Sequence, residues 1–124
     1  MSKQDKDITQ LIERLEVFEE RAGVRLEAMS ATLVGFYDHK TIHIYGELHP
    51  HTGSTIASNI DIMAAAYDAD GKIVACRSER ILADTFWGFT IFGIQVNDGA
   101  PISNLVKVRV YPQVTRPRGY ADYV

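Results

Sequence analysis

The sequence is poor in several residues that would otherwise decide its class. One cysteine, Cys76, stands in 124 residues, so no intrachain disulfide can close and every multi-cysteine zinc pattern is excluded. The chain must hold itself together through its core, and at this length roughly 65–70% of the unfolded surface is buried on folding, enough for a single domain without staples. Cations are also scarce: 13 Lys and Arg against 16 Asp and Glu give a net charge of −3. No segment pools them into the basic face that phosphate neutralisation requires, which excludes a general nucleic-acid binder. No apolar run approaches the roughly 18 residues of a membrane span. Met1 to Asp7 is polar and charged, so a reducing, cytoplasmic setting is the expectation, with envelope association left open. The glycine patterns of phosphate-binding loops and the G-x-S-x-G elbow are missing as well.

Hydrophobic residues, at 46%, are ordinary in number and informative in spacing. Between Asp7 and Ala22, Ile8, Leu11, Ile12, Leu15, Phe18 and Ala22 recur at helical intervals, with Glu13, Arg14, Glu16, Glu19, Glu20 and Arg21 on the other side. This pattern predicts an amphipathic helix, capped by Asp7 and ended by Gly23. Its stripe either packs on the chain's own sheet or pairs with a second helix, since Ile8, Leu11, Leu15 and Phe18 also fit a short a/d seam.

After Gly23 the period becomes two. Ile42, Ile44, Gly46 and Leu48 alternate with His43, Tyr45, Glu47 and His49, and Met29 to Tyr37 pairs with them as a hairpin. Pro50 and Gly53 mark a loop. Ile56 to Tyr67 and Lys72 to Leu82 flank Asp68-Ala69-Asp70-Gly71, a hairpin turn. Phe86 to Val96 is the most aromatic run, and Leu105 to Tyr111 alternates Val106, Val108 and Val110 with Lys107, Arg109 and Tyr111. Cys76 reads as a small buried residue of its strand.

One helix and about six antiparallel strands predict a mainly β chain, an immunoglobulin-like antiparallel β-sandwich preceded by one amphipathic helix. The expected division is 1–23 for the helix, 24–111 for the sandwich and 112–124 for an extended tail. A cystatin-like α+β fold, one curved sheet around the helix, is the alternative.

Gly46-Glu47-Leu48, Ala66-Tyr67-Asp68-Ala69-Asp70-Gly71-Lys72 and the strand from Phe86 to Ile91 carry a resemblance. Together they make Ile42 to Tyr111, a little over half of the chain, similar to the FxLYD-type domains, small bacterial and archaeal β-sandwiches. Only Tyr67 and Asp68 match the namesake motif, because Ala64 and Ala66 stand where Phe and Leu would be. The resemblance implies a binding or scaffolding module without catalytic residues, in a family usually found in envelope or secreted proteins.

Histidine is the one chemistry-bearing type that clusters, as His39, His43, His49 and His51. His49 and His51 form the candidate metal pair, with His43 and Glu47 on the same strand. Six residues put His43 about 20 Å from His49 on an extended strand, too far to share an ion. No resident cofactor and no enzymatic activity are expected.

In the aromatic run Phe86, Phe92, Ile94 and Val96 share one parity while Trp87, Phe89 and Ile91 share the other, so both faces are apolar. A bulge at Gly88 or the helix covers the second face, or a subunit interface does. The resulting expectation is a non-enzymatic protein-interaction module that forms a homo-oligomer through Ile8, Leu11, Leu15 and Phe18 or through Trp87 and Phe89. The competing class is a metal or small-ligand binder that uses the His43/His49/His51 side, or an apolar cavity lined by Trp87, Phe89 and Met63.

Overall fold

A computed structural model describes residues 5–36, 39–97 and 104–115. Among these residues the strands are β1 (Lys6–Asp7), β2 (Ile12–Arg14), β3 (Val24–Phe36), β4 (His39–Pro50), β5 (Ile60–Asp68), β6 (Ile73–Ile81), β7 (Thr90–Val96) and β8 (Leu105–Val114), with one helix, α1 (Glu16–Ala22). They form two four-stranded sheets, ordered β1-β3-β4-β7 and β2-β8-β5-β6. The chain is therefore mainly β and sandwich-like, and the alternative of one sheet wrapped around a helix does not hold.

Two hairpins, β3–β4 and β5–β6, lie in different sheets. Strand β7 then returns to pair with β4, and β8 returns to pair with β5. Ladder pairs are antiparallel except at β2, which runs parallel to β8 with Ile12 opposite Val108 and Arg14 opposite Val110. Period-two alternation fills the space between the sheets. Val24, Leu26, Ile42, Ile44, Leu48, Phe92, Ile94 and Val96 come from one sheet, and Ile60, Ile62, Ala64, Ala66, Val108 and Val110 from the other; all are buried. The Asp68 to Lys72 turn forms as its residues predict, with Asp68 Oδ1 accepting the N–H groups of Asp70 and Lys72.

The N-terminal segment departs from its helical pattern. Asp7 to Ala22 divides into β1, a 3-10 turn at Thr9–Leu11, β2 and α1, so only the last seven residues are α-helical. Side-chain bonds explain the break: Asp7 Oδ1 accepts the N–H and hydroxyl of Thr9, and Thr9 Oγ1 accepts the N–H of Ala31. These bonds hold Ile8 in the core at 2% exposure, and β-branched Ile8, Thr9 and Ile12 lose little by leaving a helix. Glu19, placed by the helical pattern on a solvent face, is buried. Its carboxylate accepts Nη2 of Arg14 at 2.7 Å and the N–H of Leu26 at 3.1 Å.

Strand bounds shift in two places for one reason. Pro50 extends β4 opposite Val24, and Pro112 extends β8 opposite Ile62, so β8 runs three residues into the expected tail. Beside Pro112 the parallel neighbour β2 has already stopped at the level of Val110, which leaves a flank where a missing N–H costs nothing. The remaining tail, 116–124, lies outside the described residues. Cys76 is exposed rather than buried, because Ala75 takes the inward position of β6 at 7% exposure.

Candidate functional site

The strongest chemical grouping is on the outer face of the β3–β4 ladder. Alternation through Val24-Arg25-Leu26-Glu27 sends Val24 and Leu26 into the core and Arg25 and Glu27 outward. Glu27 stands directly opposite Glu47, and Arg25 directly opposite His49. Nε2 of His49 lies 2.9 Å from Glu47 Oε1 and 4.0 Å from Glu27 Oε1. Arg25 Nη1 binds the other oxygen of Glu27, Oε2, at 2.9 Å. The three groups Glu27, Glu47 and His49 each offer one ligand atom, all within 4.8 Å of one another, and all three are partly buried.

Two neighbours fix this geometry. The His49 ring stacks on Phe89 with centroids 5.1 Å apart and planes 6° from parallel. Immediately after Glu27 the ladder shifts register, with Ala28 at φ 55°. This bulge restores the inward parity of Ala31 and turns Met29 toward Gly46 while Glu27 stays on the outer face. In the tautomer that carries its proton on Nε2, His49 donates to Glu47; in the other, Nε2 presents a lone pair on the side of the two carboxylates and can ligate a cation.

The expected histidine pair is not what the fold assembles. His49 belongs to the group and His51 does not: His51 is exposed beyond the end of β4, with its backbone N–H bound to Gly23 O. His43 sits opposite Thr32 and Gln95, farther along the same face. The side chain of His39 lies outside the described residues. Glu27 escaped the sequence reading, although apolar–charged alternation directly after Gly23 was the signal that placed it on a polar strand face.

A second feature lies beside the first. The segment from Phe86 to Phe89 is not strand: Gly88, at φ 78°, donates its N–H to Ser54 O, and β7 starts at Thr90. Phe86 turns into the core, while Trp87, Phe89 and Ile91 stay exposed at 75%, 49% and 68%. Tyr45, 53% exposed, lies over Gly93 on the same face. The helix does not cover this surface, since α1 packs against β3 and β8, where Phe18 meets Tyr111 at 5.0 Å.

Of the expected interface residues, Ile8 is in the core, and Leu11 is partly buried and packed against it. Neither lies in an α-helix, so Ile8, Leu11, Leu15 and Phe18 do not line one continuous helical seam. Leu15 caps α1. An open cleft of about 340 Å³ beside Trp87 is lined by Arg80, Leu82, Phe86, Trp87, Phe89 and Thr90 among others. Met63 faces outward on the opposite sheet, across from Tyr111, so it does not join Trp87 and Phe89.

No described helix is long and apolar enough to cross a membrane. Comparisons with protein-family models, curated proteins and solved structures gave no match for this chain.

Proposed function

We propose that the chain is a non-enzymatic binding and scaffolding module that associates with a second copy of itself through β7. One contrast carries this reading. Strand β7, Thr90–Val96, ends its sheet without a partner on its outer flank among the described residues and contains no charged residue. The other sheet ends are defended: β6 carries Arg77, Glu79 and Arg80, while β1 and β2 are two and three residues long. Short or charged edges discourage pairing, and a long uncharged edge invites it.

A second copy fits this edge by symmetry. Gly93 is the central residue of β7, so an antiparallel β7–β7 pair about a two-fold through Gly93 would continue the sheet across both copies. Ile91 of each copy would then stand opposite Gln95 of the other, with Tyr45 flanking Gly93 on the same face, so the joined ladder brings no like charges together. The likeness to FxLYD-type domains supports the same class. A ligand site in the cleft beside Trp87 is the second reading, and it rests on that cleft alone.

Solution mass against concentration, by light scattering or sedimentation, tests the proposal. The wild-type chain associates, and Ile91→Lys is monomeric at the same concentrations while keeping the folded circular-dichroism spectrum, with a thermal midpoint that no longer depends on concentration. A wild-type chain that stays monomeric at high concentration overturns it.

A further inference from the structure

We propose that Glu27, Glu47 and His49 form a binding site for one divalent first-row transition-metal ion, with zinc as the representative ion. Three observations converge. Glu27 and Glu47 are direct cross-strand partners, and like charges in that position repel unless a cation or proton donor lies between them. Arg25 answers only part of that charge, because it holds Oε2 of Glu27 and leaves Oε1 facing His49. On its other flank Glu47 meets Ile91, which offers no counter-charge.

The distances suit an ion. His49 Nε2 is 2.9 and 4.0 Å from the two carboxylate oxygens. Ligand atoms about 2.0–2.1 Å from a tetrahedral zinc are about 3.3–3.4 Å from each other. The two carboxylate oxygens also lie within 4.8 Å of each other, so closing on an ion asks for shifts on the order of 1 Å, within the reach of glutamate side-chain rotation. Two paired strands supply all three donors, and the stack on Phe89 holds the imidazole plane, so little ordering is left for binding to impose.

The donor set selects the class of ion. One imidazole and two carboxylates suit zinc and its neighbours, whereas calcium and magnesium prefer all-oxygen shells. Three protein ligands leave a fourth position for water or for a donor from another molecule. The site adjoins β7, through Phe89 and Ile91, but none of its three ligands belongs to that strand, so its failure would leave the association reading standing.

Calorimetric titration of zinc chloride into the tag-free full chain, stripped of metal by a chelator, tests the assignment. One equivalent is expected to bind saturably. Glu47→Gln, Glu27→Gln and His49→Ala each weaken binding by at least about 10-fold, while His43→Ala and His51→Ala leave it unchanged. Circular dichroism shows whether each variant is folded, and the near-isosteric Glu→Gln changes carry the test if His49→Ala is not. Absence of saturable binding overturns the proposal. So does wild-type affinity in the Glu27 and Glu47 variants, or a loss confined to His51→Ala.

Discussion

Arg14 and Glu19 form a two-pronged pair, Nη2 to Oε1 at 2.7 Å and Nε to Oε2 at 3.1 Å, and the Glu19 side chain is almost fully buried while the Arg14 side chain remains 44% exposed. The same Nη2 donates to Leu26 O at 2.6 Å, and Leu26 N–H donates back to Glu19. One carboxylate thereby joins β2, α1 and β3 at the point where the chain passes from one sheet to the other. A seven-residue helix has no stability of its own; this junction and the Phe18–Tyr111 contact hold it in place.

Removing the carboxylate leaves the buried N–H of Leu26 without an acceptor and Arg14 without its partner. Glu19→Ala is expected to cost about 2–3 kcal/mol, a fall in Tm of roughly 6–15 °C for a chain of this length. Urea unfolding checks it. Glu19→Gln, which keeps an acceptor for Leu26, should lose less than half as much.

Gly46 faces Phe92 across the β4–β7 ladder, and a Cβ there would lie 2.5 Å from Phe92 Cζ and 2.9 Å from Met29 Cγ. The Phe92 ring is itself buried, so it has little room in which to give way. Gly46→Ala is therefore expected to destabilise by about 1–3 kcal/mol. In a double-mutant cycle Phe92→Leu should offset part of the loss, whereas strictly additive costs would show that the two side chains do not compete for the same space.

Acid should reveal the Asp61–Arg80 bond. Arg80 Nε donates to Asp61 Oδ1 at 2.9 Å and holds this carboxyl below its ordinary value of 3.8, against the smaller opposing effect of burial. A depressed folded-state value stabilises the fold above the unfolded value, and this contribution disappears as pH falls through the folded one. The stability difference between wild type and Arg80→Met should be constant from pH 7 to about 5, begin to shrink as pH nears the unfolded value of 3.8, and vanish only once pH has fallen through the lower folded-state value. Solvent screening keeps the difference small, so thermal midpoints measured over that pH series are the suitable readout. A difference that grows on acidification would contradict the assignment.

Much of the sheet structure was legible because its signal is local. Alternation at Ile42 to Leu48 and Leu105 to Tyr111 fixes which side chains enter the core whatever the partner strand is, and Asp68 to Gly71 forms its turn from its own side chains. The opening segment misled for the opposite reason. Ile8, Leu11, Leu15 and Phe18 do recur at helical spacing, but Ile8 gains more by entering a core built from residues far along the chain, and Thr9 bonds to Ala31 in place of a helical turn. The exposed stripe at Trp87, Phe89 and Ile91 was visible as an apolar second parity. That it faces outward, beside a strand with no ladder partner on one flank among the described residues, follows only from the order of strands in the sheet.

The candidate site shows the same division. His49 and Glu47 share a strand face by the period of two, and that much the residues determined alone, as they determined a mainly β chain with no means of closing a disulfide. Glu27 lies twenty residues earlier, and its place opposite Glu47 depends on the register of β3 against β4, which the bulge after Glu27 helps set. His51 left the group because β4 ends at Pro50. Pairing register and the ends of strands are set by contacts between distant segments, so only the tertiary structure could decide which carboxylates the histidine meets.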